Sequence, residues 1–197
     1  MRFAIGKTKI RITFFFAAGM TLFALWRGGG AVLCVLSAVL VHECVHLFCL
    51  YRCKAVPSAL TVGLFGMRLS DESIRLLSYK KELLCTLSAP LVNFVVAVFL
   101  LPILQYGDFV QTLFAAHFSL GFFNLLPLRC LDGGRSLLCL LLSFYPPSKA
   151  ERLMNVTEWI FFFGFFLFLI VYFFTVRMEP TALIFLFYLS FLLFFRK

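Results

Sequence analysis

Long apolar runs set the terms for what this chain can fold into. They cover residues 12–26, 31–50, 83–104, 109–126, 159–176 and 181–195, and a helix needs about 20 residues to cross the hydrocarbon core of a bilayer. The first and last runs are short and must borrow reach from flanking Lys and Arg side chains. A seventh piece, 137–145, is too short to cross and follows Asp132-Gly133-Gly134-Arg135 directly. That order implies a broken or re-entrant segment after the fourth run. The expected fold is therefore an all-α polytopic membrane protein of about six transmembrane helices, a single membrane-embedded domain over residues 1–197. With 62% hydrophobic residues, 28 Phe and only 14% charged residues, no surface is polar enough to face water all round, which excludes a soluble globular enzyme.

Charge fixes an orientation. The net charge of +9 is not that of a nucleic-acid binder, because the basic residues flank apolar runs instead of sharing a face with aromatics. Six spans put both ends on one side, together with Arg2, Lys7, Lys9, Arg11, Arg52, Lys54, Arg68, Arg75, Lys80, Lys81, Arg129, Arg135, Lys149, Arg152, Arg196 and Lys197. The other side holds only Arg27 and Arg177, a split of 16 to 2. Cytoplasmic loops collect Lys and Arg, so both termini are expected in the cytoplasm. The basic stretch 1–11 before an apolar run is signal-like, but no small-residue cleavage site follows it, and a retained first span is expected. Glu82 and Glu158 read as interfacial charges at span ends. The seven cysteines are odd in number and contain no CxxC pair, and they read as reduced thiols that pack as small apolar groups.

The longest loop, 51–82, contains Pro57 and then an alternating stretch, 60–69. It reads either as a small cytoplasmic β-hairpin or pair of short strands after the second span, or as an irregular apolar loop pressed on the membrane surface.

Within the second run lies His42-Glu43-Cys44-Val45-His46. On a helix, residues four apart share a face, so both imidazoles can bind one zinc ion while Glu43 lies beside the water that would be activated. With three His in the chain, a shuffled sequence would produce HExxH on the order of once in a thousand. The plain alternative is three satisfied polar groups packed between spans, but at membrane depth their cost accumulates to several kcal/mol unless a metal or a wet cavity receives them. Catalytic zinc usually takes three protein ligands and keeps one position open. Asp132 is the best third ligand, since Pro127 and the Gly pair break the helix around it and broken backbone at this depth lines protein or a cavity. Its other reading is a helix N-cap for the segment that follows. Cys44 and Cys130 read as packing residues, not ligands.

Together the motifs resemble the site-2 protease family of intramembrane zinc metalloproteases, whose pattern is HExxH on one span and NxxPxxxLDGG at a later, broken one. Both are matched, the second by Asn124, Pro127, Leu131, Asp132, Gly133 and Gly134. Ala89-Pro90-Leu91-Val92-Asn93 is similar to that family's G-P-x-x-N element, with Ala89 where Gly is usual. The resemblance spans residues 31–142. It implies one Zn2+ per chain on His42, His46 and Asp132, Glu43 as general base, and Asn93 and Asn124 as supporting or substrate-positioning groups. His117 stands where the family often has a polar Asn facing the site, with a buried histidine bonded to a neighbouring span as the plainer reading. Six short-looped spans are most similar to the sporulation-type branch, which cleaves a membrane-associated sigma-factor precursor. That implies a bacterial plasma membrane or forespore-type membrane, a membrane-protein substrate and regulatory membrane-protein partners. The sequence departs from the family's pattern in two places, since neither a CBS domain nor a PDZ insertion is expected within residues 1–197.

The competing class is a metal-ion or proton transporter, since intramembrane ionisable groups and a broken helix also mark ion paths. It accounts for the depth and not for the spacing. Measured from Arg52 at the cytoplasmic interface, His46 lies about 9 Å and His42 about 15 Å inside. Cleavage is therefore expected near the cytoplasmic end of a substrate's membrane segment. A β-edge within 60–69 would pair with the unwound substrate there.

Overall fold

The computed structural model describes residues 2–5, 8–12, 21, 23–55, 59–63, 66–70 and 77–175. The expected last span, 181–195, and most of the first, 12–26, lie outside the described residues. In chain order the elements are β1 (Arg2–Ile5), β2 (Thr8–Ile12), α1 (Gly29–Arg52), β3 (Ala59–Gly63), β4 (Gly66–Ser70), α2 (Tyr79–Leu100) running into a 3-10 turn (Leu101–Tyr106), α3 (Asp108–Asn124), α4 (Asp132–Phe144) and α5 (Pro147–Thr175).

Helix α2 is the hub, packing on α1, α3 and α4, while α5 packs on α4. The inward faces are built from small and polar residues. On α1 the buried positions Cys34, Ala38, His42 and Leu50 recur at multiples of four, one stripe of a 3.6-residue helix. On α2 they are Cys85, Thr86, Ala89, Pro90, Asn93 and Ala97, and on α3 His117 and Gly121. Small side chains let backbones approach closely: a Cβ on Gly121 would sit 3.0 Å from the Pro90 carbonyl oxygen. The Thr86 and Ser136 hydroxyls meet at 2.6 Å between α2 and α4. Large apolar side chains face outward instead, among them Leu33, Leu40, Phe48, Leu91, Phe99, Phe118 and Phe163. A soluble protein arranges these classes the other way round; this surface matches the hydrocarbon of a bilayer.

Helix α1 ends in a complete Schellman cap. Lys54 adopts the left-handed conformation at φ 59°, its N–H donates to the Tyr51 carbonyl at 3.0 Å, and the Ala55 N–H donates to Leu50 at 2.9 Å. Leu50, Ala55 and Cys85 close over the turn as the accompanying apolar contact.

Two expectations are corrected here. Among the described residues two segments, Gly29–Arg52 and Tyr79–Tyr106, are long and apolar enough to cross a membrane, so a count of six has no support in the described fold. The run at 109–126 falls mostly on the 17-residue α3, about 26 Å long against a core of about 30 Å, and the described part of the run at 159–176 falls in the latter part of α5. An all-α architecture is also too narrow. The strands form one four-stranded sheet in the order β1-β2-β3-β4. β1 and β2 pair antiparallel from Arg2↔Arg11 to Ile5↔Thr8, β2 runs parallel to β3 from Lys9↔Ala59 to Ile12↔Val62, and β3 pairs antiparallel with β4 from Ala59↔Ser70 to Gly63↔Gly66. The stretch 60–69 thus falls on one internal strand and one edge strand. The N-terminal pair escaped the sequence reading because strands of four and five residues carry almost no periodic signal, and Ile12 also opens an apolar run.

Candidate metal centre

Two elements bring three ligand atoms to one point. The α1 stripe sets His42 and His46 one turn apart on the inward face, with ring centroids 4.8 Å apart and planes at 84°. The third group arrives from the break between α3 and α4. Helix α3 stops at Asn124, and the chain turns through residues 125–131, where Leu128 N–H donates to Leu126 and Leu131 N–H donates to Leu128, each at 2.8 Å. This turn lies against the start of α4, so that a Cβ on Gly133 would collide with the Leu125 backbone and one on Gly134 with Leu128 and Arg129. The Gly pair is what lets Asp132 enter the bundle. As the first residue of α4, Asp132 also sits at the positive end of that helix's dipole.

Asp132 Oδ2 lies 3.0 Å from His42 Nε2 and 3.0 Å from His46 Nε2, and the two Nε2 atoms are 3.2 Å apart. These residues are the one group among the described residues with metal-ligand geometry. Zinc bonded to nitrogen and oxygen at about 2.0–2.1 Å in a tetrahedron separates its ligands by about 3.3 Å, close to these three edges. The chemistry agrees with the geometry, since no single proton can satisfy two imidazole nitrogens and a carboxylate oxygen that all face one another, whereas a divalent cation can.

Each imidazole is held from behind. His46 Nδ1 donates to the Cys85 carbonyl at 2.9 Å, which leaves its Nε2 lone pair free for a cation. His42, 5% exposed, has its Nδ1 3.2 Å from the Asn93 amide, and the other end of that amide is 3.2 Å from His117 Nδ1. Asn93 is fully buried and His117 is 2% exposed. Glu43, partly buried, shares the electrostatic neighbourhood of both ligand histidines and Asp132.

Of the residues singled out in the sequence, His42, His46 and Asp132 converge, and Asn93 stands directly behind one of them. Asn124 spends its amide on the Leu120 carbonyl of its own helix, at 3.0 Å. The cap of α4 is Leu131 and Asp132 is its first helical residue, with its carboxylate turned to His42 and His46, so the N-cap reading does not describe it. Cys44 and Cys130 are exposed rather than packed, outside the ligand group, and none of the seven cysteines forms a disulfide. Glu158 is not an interfacial charge: it is 2% exposed, accepts the Arg129 backbone N–H at 2.8 Å, and pairs with the Arg129 guanidinium at 3.4 Å. Arg129 also bridges to Glu151 at 2.5 Å and donates to Asn155 at 2.9 Å. This clamp ties the turn that carries Asp132 to α5. A carboxylate near the start of an apolar run was its only sequence signal, and that signal does not separate a buried charge from a surface one.

Two histidines one turn apart and an aspartate from a broken segment, enclosed by helices that are apolar outside, form a group of two imidazoles and one carboxylate that could hold a metal ion. No family model matches the chain, and no curated protein does. Among solved structures it is similar to the site-2 protease from Methanocaldococcus jannaschii, with a TM-score of 0.68 at 20% sequence identity, over 98% of this chain and 92% of that one. The chain has the fold of that protease.

Proposed function

We propose that this chain is an intramembrane zinc metalloprotease that hydrolyses a peptide bond in or near the membrane segment of another protein. The observation that carries the proposal is the meeting of His42 Nε2, His46 Nε2 and Asp132 Oδ2 within 3.2 Å, with a non-ligating carboxylate, Glu43, beside them. The fold shared with a solved site-2 protease supports it.

His42, His46 and Asp132 would hold one zinc ion, which supplies Lewis acidity to the scissile carbonyl and to the attacking water. Glu43 takes the proton from that water and delivers it to the leaving nitrogen, so that the C–N bond breaks to give a carboxylic acid and an amine. A substrate helix hides its carbonyls in its own hydrogen bonds and must unwind before it can be cut. The edge strand β4 offers the unwound segment backbone partners by strand addition. The narrowest form of the proposal is a sporulation-type enzyme acting on a sigma-factor precursor from the cytoplasmic side, supported by the paired motifs and the charge split.

Co-expression with single-span membrane proteins tests the reading. A fragment that appears with the wild type and vanishes with Glu43→Gln is the expected result. A transporter would instead keep its ion flux in that variant, and flux that survives without any proteolysis would sink the proposal.

A further inference from the structure

His117 lies outside the set of ligands and base, yet it is buried at 2% exposure and aimed at the fully buried Asn93. Its carrier α3 packs against α2 where Gly121 meets Pro90, which puts His117, one turn earlier on the same face, level with Asn93. The chain of polar groups is continuous: Asp132, His42, Asn93, His117, with separations of 3.0, 3.2 and 3.2 Å.

The protons along this chain are not free to sit anywhere. An imidazole that gives its Nε2 lone pair to a cation must carry its proton on Nδ1, and that N–H then needs an acceptor. Among the described residues the group facing that nitrogen is the Asn93 amide, whose Nδ2 is set toward His42 and Oδ1 toward His117; with a cation on Nε2 the amide must take the reverse orientation, oxygen to His42 and NH2 to position 117. Oxygen and nitrogen exchange places by a half-turn of the terminal torsion, and the partners on either side decide which orientation holds. A group at 117 that can accept from the NH2 selects the orientation His42 requires. His117 Nδ1 does so when its own proton is on Nε2.

We infer that His117 is a positioning residue for the metal centre, acting through Asn93 to hold His42 in the tautomer that presents Nε2 to the ion. The inference rests on the metal-centre reading above. It also explains why a third histidine is spent at this depth: with an apolar side chain at 117, one end of a buried amide would lose its partner and the bias on the other end would vanish.

The test is zinc affinity by competition with a chromophoric chelator, and the visible spectrum of the cobalt-substituted full-length protein in detergent. His117→Asn keeps an acceptor near the position of Nδ1 and should bind zinc within about twofold of wild type, with an unchanged cobalt spectrum. His117→Leu fills similar volume without an acceptor, and His117→Gln carries its amide too far out to meet Asn93. Both should bind about 10-fold more weakly, the low end for partners behind a metal ligand, with shifted cobalt bands. A pure packing role predicts the reverse order, with Leu tolerated and the smaller Asn impaired. Wild-type affinity in both His117→Leu and His117→Gln would overturn the inference, as would His117→Asn binding as weakly as they do. Should His117→Leu not fold, the Asn and Gln pair decides alone. Failure of the wild type to bind zinc would instead overturn the metal-centre reading itself.

Discussion

On the proposed reading, single side chains at the centre divide into those that would hold a cation and one that would only move a proton. Purified protein is expected to carry about one zinc per chain, and His42→Ala and Asp132→Asn should each lose most of it by metal analysis while the helical spectrum persists. Glu43→Gln should retain the metal and lose turnover by roughly 100-fold to 10,000-fold, since it removes the general base and no ligand. Chelator-treated wild type should be inactive and regain activity with zinc. Gly133→Ala reaches the same loss by a different route. Its new methyl group would strike the Leu125 backbone, which cannot step aside as a flexible side chain can, and the overpacking costs about 1–3 kcal/mol while pushing Asp132 out of register. Both melting temperature and zinc content should fall, and a Gly133→Ala protein with full metal content would show that the turn is softer than it looks.

At the scale of elements, a clamp ties the turn that carries Asp132 to α5 and a strand edge stands open for pairing, and each can be tested. The clamp between Arg129 and α5 buries the Glu158 carboxylate; losing it destabilises by less than the about 3–5 kcal/mol typical of a pair whose remaining charge has no other partner, because Arg129 keeps Glu151 and Asn155. Glu158→Gln should lower the thermal midpoint in detergent well below that of a substitution at the exposed partner Glu151. The second feature is the strand edge. Neighbouring N–H groups on β4 point to opposite sides, so one of Met67→Pro and Arg68→Pro removes an outward donor. That variant should cut substrate more slowly at unchanged zinc content, and equal cleavage by both would remove β4 from the mechanism. Much of the centre was legible in the sequence because helical spacing alone places His42 over His46, and because Pro127 and the Gly133-Gly134 pair mark the break that carries Asp132. The N-terminal strands β1 and β2 and the burial of Glu158 were not. A strand of five residues has too few positions for alternation to stand out, and a lone carboxylate shows its burial only once its arginine is found.

For the whole molecule, topology is the open quantity that charge speaks to most directly. With Lys and Arg divided 16 to 2, reporter fusions at Lys197 and near Lys149 should both report the cytoplasm, and one at Gly107 the opposite side. An external signal at Lys197 would refute the shared side of the two termini. Fold and fine function read differently from sequence for a physical reason. The apolar runs and the paired motifs depend only on spacing, whereas span number depends on how far each helix extends past its apolar run, as α5 does by starting at Pro147. The outward placement of Leu40, Phe48, Phe99 and Phe163 carries one more consequence. These side chains meet hydrocarbon whether or not the helices are packed together, so separating the helices within a bilayer wets little new apolar area. The heat-capacity increment that curves the stability profile of a soluble protein should then be small, and the profile nearly straight with temperature. Cohesion would rest on close backbone approach, the hydroxyl pair of Thr86 and Ser136, and the ion at the junction of α1 and α4.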